Sequence, residues 1–541
     1  MLLALLGLLG AAAYLALHRM YQVDEAQNIF MVRALATHQA ERYFTNALLW
    51  MLGPMSWLVG GLNESVKIFE WSRLLFLCVF LLNIFLIAIN TGRKLTSFAG
   101  LAALFGAATL APLWDYGFEI RHDNLILTCL LLMWWLGRVT PRGRLSYIGL
   151  GFLAIILPLL SVKAVAYAAP MCLAFIVFPP ARHQQGRTAL IASMAIGAAM
   201  AALAVVFAYI SSGAAQIFMS GILEGVNSGA HAVPGNPWLA LDRLPRHMPL
   251  VRDLALVAVG ALVVQFCVKG KAAFTWDGLL PEALLFIGSV ALLMLNPTPF
   301  PYNLVNVVPF AYLLAFRFTA SIVEFDWNYR YVASALFGVL LVAHVLPFGQ
   351  ATQRHFAYTN ERQKTLMRAA EALTDPVRDR VYDGIGMVPT RPSIGYQWYL
   401  HSLKVASFAS GAIPAVSAML AERPAAVIIR SYRTGMMPSA DWQFIEARYI
   451  ALAGDFWVLG GILPKGGGNY LVLHPGRYLV MRWDHGQLGS LGGLPLQLAA
   501  GNQRIDSAPD IVPAVVWVGP TLDAPPAIGE GKHRRLFINF Y

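Results

Sequence analysis

Long apolar stretches follow one another up to residue 348, with polar residues confined to the gaps between them. A membrane-crossing helix needs about 20 mostly apolar residues, with a lower limit near 17. Stretches that approach this are 2–17, 73–89, 97–113, 123–137, 147–162, 164–178, 189–211, 252–268, 279–296, 302–317 and 332–348. The shorter ones must extend into their flanks. The pattern predicts about eleven spans, and an odd number puts the two ends of the chain on opposite sides of a bilayer.

Loop charges orient the spans, because Lys and Arg concentrate on the cytoplasmic side. Arg93 and Lys94, then Arg138, Arg142 and Arg144, then Arg182 and Arg187 occupy alternate loops. Lys269 and Lys271, and Arg317 and Arg330, continue the series. The short loops opposite carry only Arg121 and Lys163. The N-terminus is therefore expected inside, and the region after 349 outside. Two outer loops are long. Loop 18–72 contains an apolar run, 44–62, broken by Gly53-Pro54. Counting it as a span would put the arginines outside, so it is expected as helices lying on the outer surface. Loop 212–251 is rich in Gly and Pro and is expected to form a mobile loop with short surface helices.

After Phe348 the pattern changes to that of a water-exposed domain. Residues 354–375 read as a helix. Strands are predicted at 381–382, 426–430 and 456–459, with helices near 411–422 and 440–448 between them, which makes a small α/β unit over 349–465. From Gly466 the pattern becomes short strands at 469–474, 477–483, 494–499, 512–518 and 535–540, punctuated by Gly and Pro, which suggests a β-sandwich over 466–541. No internal repeat is visible, which counts against a transporter built on inverted repeats.

Composition agrees. Of 541 residues, 57% are hydrophobic and 13% charged, and mean hydropathy is +0.58. Soluble globular proteins carry about 25% charged residues. The net charge of +11 does not indicate nucleic-acid binding, because no basic run lies outside the membrane-flanking loops. The four cysteines, Cys78, Cys129, Cys172 and Cys267, all lie in apolar segments and match no metal-ligand spacing. The first apolar run lacks a positive leader and a clear cleavage site, so it reads as a retained span.

Polar residues gather at four places expected at the outer boundary. They are Asp24-Glu25, the run 119–124 that opens the fourth span, Ser161-Val162-Lys163 between the fifth and sixth, and 299–303 at the tenth. Each alone has an ordinary explanation: an acidic helix cap for Asp24, Glu25 or Asp123, headgroup contact for Arg121 or Lys163, and an aromatic belt for Tyr302. Two acids and two bases at one level suit one reaction. A lipid-phosphate sugar keeps its tail in the bilayer and its phosphate at the boundary. Arg121 and Lys163 could hold that phosphate and stabilise the charge growing on it as the glycosidic bond breaks. Asp24 could take the proton of an acceptor hydroxyl, and Asp123 could orient the acceptor or stabilise positive charge on the sugar.

In order and spacing, residues 1–348 resemble the GT-C superfamily of membrane glycosyltransferases, near its bacterial protein O-mannosyltransferases and the lipid A aminoarabinose transferase. The resemblance rests on Asp24-Glu25 after the first span, Arg121-x-Asp123 opening the fourth, Lys163 in a short outer turn and Pro301-Tyr302 opening a late span. That turn reads Ser-Val-Lys-Ala where the family more often has Thr-Lys-Gly-Pro. The resemblance implies a polytopic α-helical membrane protein with a polyprenyl-phosphate sugar donor and inverting transfer. It also implies a base at Asp24, and donor-phosphate contacts at Arg121, Lys163 and Tyr302. A bacterial inner membrane, with the C-terminal α/β and β-sandwich parts in the periplasm, follows from it.

Trp114-Asp115-Tyr116-Gly117 is similar to an oligosaccharyltransferase signature but sits between spans three and four instead of in a C-terminal domain, so it reads as coincidence. Arg243, Arg246 and His247 in the second long loop could close over the donor phosphate or meet anionic headgroups. His231 and the other histidines show no metal spacing. A divalent cation could sit between Asp24 and Asp123, although no further ligand is apparent. Two other functions remain open: a transporter or lipid flippase, which would need charges lining a path through the spans, and a non-catalytic sensor or scaffold.

Overall fold

In the computed structural model the described residues are 1–43, 49–139, 143–161, 163–177, 187–212, scattered positions from 253 to 270, 279–295, 300–325, 348–350, 352–529 and 536–537. The first apolar stretch is α1 (Leu2–His18). Loop 18–72 folds as α2 (Val23–Ala36), α3 (Ala40–Tyr43) and α4 (Leu49–Val59), before the long α5 (Ser65–Asn90). The helix α4 runs through Gly53-Pro54 and does not break there. It leaves Trp57 and Leu58 exposed.

Among the described residues, three of the predicted spans are not single α-helices. Residues 97–113 divide into α6 (Phe98–Ala108) and α7 (Ala111–Tyr116). Pro112 lies in the first turn of α7, where its missing N–H costs nothing. The next span is α8 (His122–Trp134), ending in a π-helical turn at Trp135–Val139. The helices α9 (Arg144–Leu160), α10 (Lys163–Val177) and α11 (Arg187–Ser212) follow. The α9–α11 contact is close: a Cβ on Gly151 or Gly197 would collide with the opposing backbone. A 3-10 turn, Pro301–Asn306, lies between α12 (Leu280–Leu295) and α13 (Val308–Phe325). Of the described helices, Ser65–Asn90 and the 191–208 part of α11 are long and apolar enough to cross a membrane by length and composition. Shorter apolar helices cover 2–18, 98–108, 144–160, 164–175 and 280–294.

Polar side chains tie these helices together. Asn83 on α5 donates to Asn124 O on α8 at 3.0 Å and accepts from Thr128 Oγ1 at 2.7 Å. Arg138 at the end of α8 makes a bidentate pair with buried Glu282 on α12, at 2.6 and 2.9 Å, and Arg317 on α13 shares that carboxylate. Arg138 and Arg317, both expected in loops of the same side, thus share one carboxylate.

The C-terminal region begins with a short helical run, 352–357, and α14 (Glu361–Ala372). Its sheet has the strand order β1-β2-β4-β10-β6-β7, with β3 also on β4 and β8 also on β6. The strands are β1 (Arg380–Tyr382), β2 (Ala425–Ile429), β3 (Tyr449–Ala453), β4 (Phe456–Ile462), β6 (Gly476–Asp484), β7 (Gln487–Gly489), β8 (Leu496–Leu498) and β10 (Pro513–Trp517). Among the described strands only β1–β2 is a parallel pair. A separate ribbon pairs β5 (Gly467–Val472) with β9 (Gly501–Asp506).

The expected division into an α/β unit at 349–465 and a β-sandwich at 466–541 is not how the strands pair. One sheet crosses that boundary, because β4 continues through Gly460-Gly461-Ile462 and there pairs with β10. The glycine pair looks like a strand end in sequence. In the fold it permits close approach, since a Cβ on Gly460 would collide with the Val515 carbonyl.

This domain docks directly on the C-terminal end of α1 and on α2. Asn360 N and Nδ2 donate to His18 O and Leu17 O at 2.8 and 2.9 Å, satisfying the last carbonyls of α1. Gln363 exchanges two hydrogen bonds with the Tyr21 backbone, at 2.7 and 3.0 Å. Phe30 of α2 packs on Trp398, centroid to centroid 4.3 Å.

Candidate active site

The site is built on the start of α2. Gln22 caps the helix and Glu25 is its third residue. Gln22 N donates to Glu25 Oε2 at 2.8 Å, closing a capping box. Buried Arg73 on α5 then clamps Glu25 through Nε at 2.8 Å and Nη2 at 2.6 Å. The same guanidinium donates to Arg19 O at 2.7 Å and Met20 O at 2.9 Å. Ile120 N donates to Glu25 Oε1 at 3.2 Å, and Asn28 Nδ2 donates to Ile120 O at 2.9 Å. Glu25 is thus a fully buried carboxylate occupied on both oxygens. It joins α2, α5 and the segment before α8.

Successive residues of a helix point about 100° apart, so Asp24 faces elsewhere. Its Oδ2 accepts from Arg121 Nη1 at 2.6 Å, and its side chain keeps 36% exposure. Arg121 precedes α8, and its Nε also donates to Asp123 Oδ2 at 3.3 Å. The Arg121 guanidinium lies 3.9 Å from the ring centroid of Tyr302, in the 3-10 turn after α12. Tyr302 in turn stacks on Phe300 and meets Tyr116 edge-on. Burial works against the charge on Asp24, but Arg121, then Arg433 and His122, outweigh it and hold its carboxyl below the ordinary range.

The segment carrying Arg121 is held from behind. Asn124 Nδ2 donates to Tyr116 O and Glu119 O, both at 2.8 Å. Buried Arg19 donates to Glu119 at 2.5 Å and to the carbonyls of Trp114 and Asp115 at 3.0 and 2.9 Å. Asp115 pairs with His355 of the C-terminal region at 2.6 Å. The Trp114–Gly117 stretch is thus part of this buried scaffold.

No family model and no curated protein matches the sequence. Solved structures do match. ArnT from Cupriavidus metallidurans bound to undecaprenyl phosphate superposes with a TM-score of 0.55 at 14% identity, covering 85% of this chain and 97% of that one. The apo state of the same protein gives 0.53 at 13% identity, with the same coverage. ArnT is a GT-C lipid A aminoarabinose transferase. This chain has the GT-C fold.

Within that fold, Asp24, Arg121, Asp123 and Tyr302 come together from three distant segments. Lys163 is the first residue of α10, and its side chain lies outside the described residues. Its helix packs against α8, and Tyr167, one turn further on, is close enough to Asp123 to feel its charge. Arg243, Arg246, His247 and His231 also lie outside the described residues. The positive charge between Asp24 and Asp123 is the Arg121 guanidinium. Among the described residues no group of three or more His, Cys, Asp or Glu side chains is placed to hold a metal ion.

Sequence reasoning passed over Arg19 and Arg73, and it marked the run 119–124 without pairing Glu119 with Arg19 or Asn124 with the carbonyls behind Arg121. The available signal was cations at the outer ends of apolar runs, close to the acids they neutralise. It also passed over Arg433, whose charge acts on Asp24 from the C-terminal domain. No local pattern distinguishes that loop from the others in the domain.

Proposed function

We propose that the chain is an inverting glycosyltransferase. It moves a single sugar from a polyprenyl phosphate to an acceptor hydroxyl on the periplasmic side of a bacterial inner membrane, serving cell-envelope glycan, lipid or protein glycosylation. The observation that carries this reading is the contact set of Asp24, Arg121, Asp123 and Tyr302 at the outer ends of the helices. The fold it shares with a protein crystallised with undecaprenyl phosphate supports it. About eleven spans, a cytoplasmic N-terminus and an outer C-terminal domain belong to the same reading.

The donor phosphate enters beside Arg121, whose charge the Tyr302 face and Asp123 keep in place, with Lys163 as a second cation. Asp24 loses part of its hold on Arg121 as the phosphate arrives, becomes more basic and takes the acceptor proton. The acceptor oxygen bonds to the anomeric carbon from the face opposite the leaving phosphate. The carbon–phosphate oxygen bond breaks, its electron pair stays on the phosphate, and Arg121 stabilises that charge. Asp123 stabilises the positive character on the sugar. Glu25, held by Arg73, keeps Asp24 and Arg121 in register. If Arg243 and Arg246 close over the phosphate, they add charge from the loop.

The test is undecaprenyl phosphate binding in neutral-lipid nanodiscs. Arg121→Ala should weaken it by about tenfold or more, the worth of a charge-assisted contact. Asp24→Asn should bind it while slowing sugar transfer by about 10²–10⁴-fold. Carrier affinity unchanged in Arg121→Ala would refute the reading.

A further inference from the structure

A cleft opens where the C-terminal end of α2 meets the domain loop that follows β1. Arg33 and Gln39 line one wall, Thr390 and Arg391 the other, with about 350 Å³ of empty space between them, open to solvent. None of the residues lining it is acidic. The walls are fixed. Pro389 and Pro392 bracket Thr390-Arg391 and restrict that loop, and the Tyr43 hydroxyl donates to Ser393 O at 3.1 Å, joining the two sides. Arg391 donates from Nε to Thr374 Oγ1 at 2.7 Å and from Nη2 to Glu371 O at 2.8 Å and Thr374 O at 3.1 Å. Its Nη1 donates to the carbonyl and the hydroxyl of Thr390, both at 3.2 Å. All of these acceptors are neutral. Arg33 engages only Nη1, with the Gly60 carbonyl and, at 3.2 Å, that of Leu62. Among the described residues its Nε and Nη2, and the side-chain amide of Gln39, have no hydrogen-bond partner.

Among the described residues neither arginine has a carboxylate within ion-pair distance. Burial works most strongly against the Arg391 charge. Glu371, Asp375 and Asp379 offset part of this, Arg33 adds repulsion, and the balance stays unfavourable. The Glu371 carboxylate is itself engaged by Ser65 N at 2.7 Å and the Thr390 hydroxyl at 2.5 Å. Burial also disfavours the charge on Arg33. The negative end of α2 is muted here, because Thr37 N, Gln39 N and His38 N bond the carbonyls of Arg33, Ala34 and Leu35. Two like charges, each disfavoured, thus share one acid-free cleft. An anion would relieve both: the open N–H groups of Arg33 and the Gln39 amide can bond it, and Arg391 adds its field while keeping its own bonds. Water fills such a cleft but brings no charge.

We propose that this cleft is an anion-binding site: Arg33 and Gln39 on the helix side, with Arg391 opposite, hold a phosphate or carboxylate group. Arg33 lies about 14 Å along α2 from Asp24, at 1.5 Å per residue. The site is therefore separate from the Arg121 contact and does not rest on the reading of Asp24 as a base. An anion held there ties the helix that carries Asp24 to the C-terminal domain.

The full chain in neutral-lipid nanodiscs is titrated with inorganic phosphate and followed by hydrogen exchange. In wild type, exchange should slow in 33–43 and 388–394 as the site fills. Arg33→Gln should raise the phosphate concentration required by about tenfold or more, as expected for loss of a charged hydrogen-bond donor, and Arg33→Lys should fall between the two. Arg33 also braces the turn after α4, so Gln39→Glu, at an exposed position, is the second variant. It keeps that brace, adds a negative charge to the cleft and should weaken phosphate comparably. Arg121→Ala should leave the concentration within about twofold. A parallel arm replaces free phosphate with phosphatidylglycerol in the nanodisc. Protection of the same segments there alone, lost in Arg33→Gln, would assign the site to a lipid headgroup instead of a soluble anion. Protection in neither arm would leave a water-filled cleft and overturn the proposal. So would phosphate binding that survives both Arg33→Gln and Gln39→Glu, or that is lost in Arg121→Ala.

Discussion

Asp24 and Glu25 are neighbours in the chain with opposite surroundings. Glu25 has no exposure and spends both oxygens on Arg73 and backbone N–H groups, whereas Asp24 keeps an exposed edge and one arginine. Removing one partner of a buried pair costs about 3–5 kcal/mol, so Glu25→Gln should lower the thermal unfolding midpoint in detergent far more than Asp24→Asn does. Asp24→Asn should instead slow transfer by about 10²–10⁴-fold, the contribution of a positioned base. The pH profile follows from the direction of the Asp24 shift. A depressed carboxyl stays ionised to lower pH than a free Asp, near 3.9. Whatever stability it contributes is present above that value and fades as pH falls through its folded pKa. When donor phosphate offsets Arg121, the Asp24 pKa moves back up. The acid limb of kcat should therefore lie at higher pH than that of kcat/KM, which a pH–rate series would measure; coincident limbs would count against Asp24 as the base.

Between the residue and the whole lies the segment 117–121. It has no regular structure, yet it delivers Arg121, and its carbonyls are held by Asn28 and Asn124. Asn124→Ala removes one of two donors from each of the Tyr116 and Glu119 carbonyls, which keep Glu119 N and Arg121 N, at about 0.5–1.5 kcal/mol per lost hydrogen bond. The predicted result is weaker carrier binding, because Arg121 loses its register with Asp24, although Asn124 itself is buried behind the segment. Binding equal to wild type would show that the arginine is placed by other means.

The C-terminal domain is part of the same body as α2. Its core continues into α2 through Phe30, Tyr43 and Trp398, and Trp398 Nε1 donates to Tyr43 O at 2.9 Å. Trp398→Ala should cost about 3–5 kcal/mol and loosen α2 together with the domain. Hydrogen exchange should then quicken along 23–36 as well as near 398. Faster exchange confined to the C-terminal region would mean the two fold independently.

Much of this organisation is legible in the residues alone. Apolar run length placed the starts of α1, α9, α10 and α12 within a few residues, because lipid rewards long apolar helices wherever they fall. The acids and cations at the rim stood out as polar residues at the edges of such runs. Which acid would be buried was not legible: Asp24 and Glu25 have the same chemistry, and only the approach of Arg73 from α5 separates them. Nor did the sequence show that β4 runs on through Gly460-Gly461 to join one sheet. Pattern records what each segment needs from its surroundings. Which distant segment meets that need depends on packing, here the contacts of the domain with the helix ends.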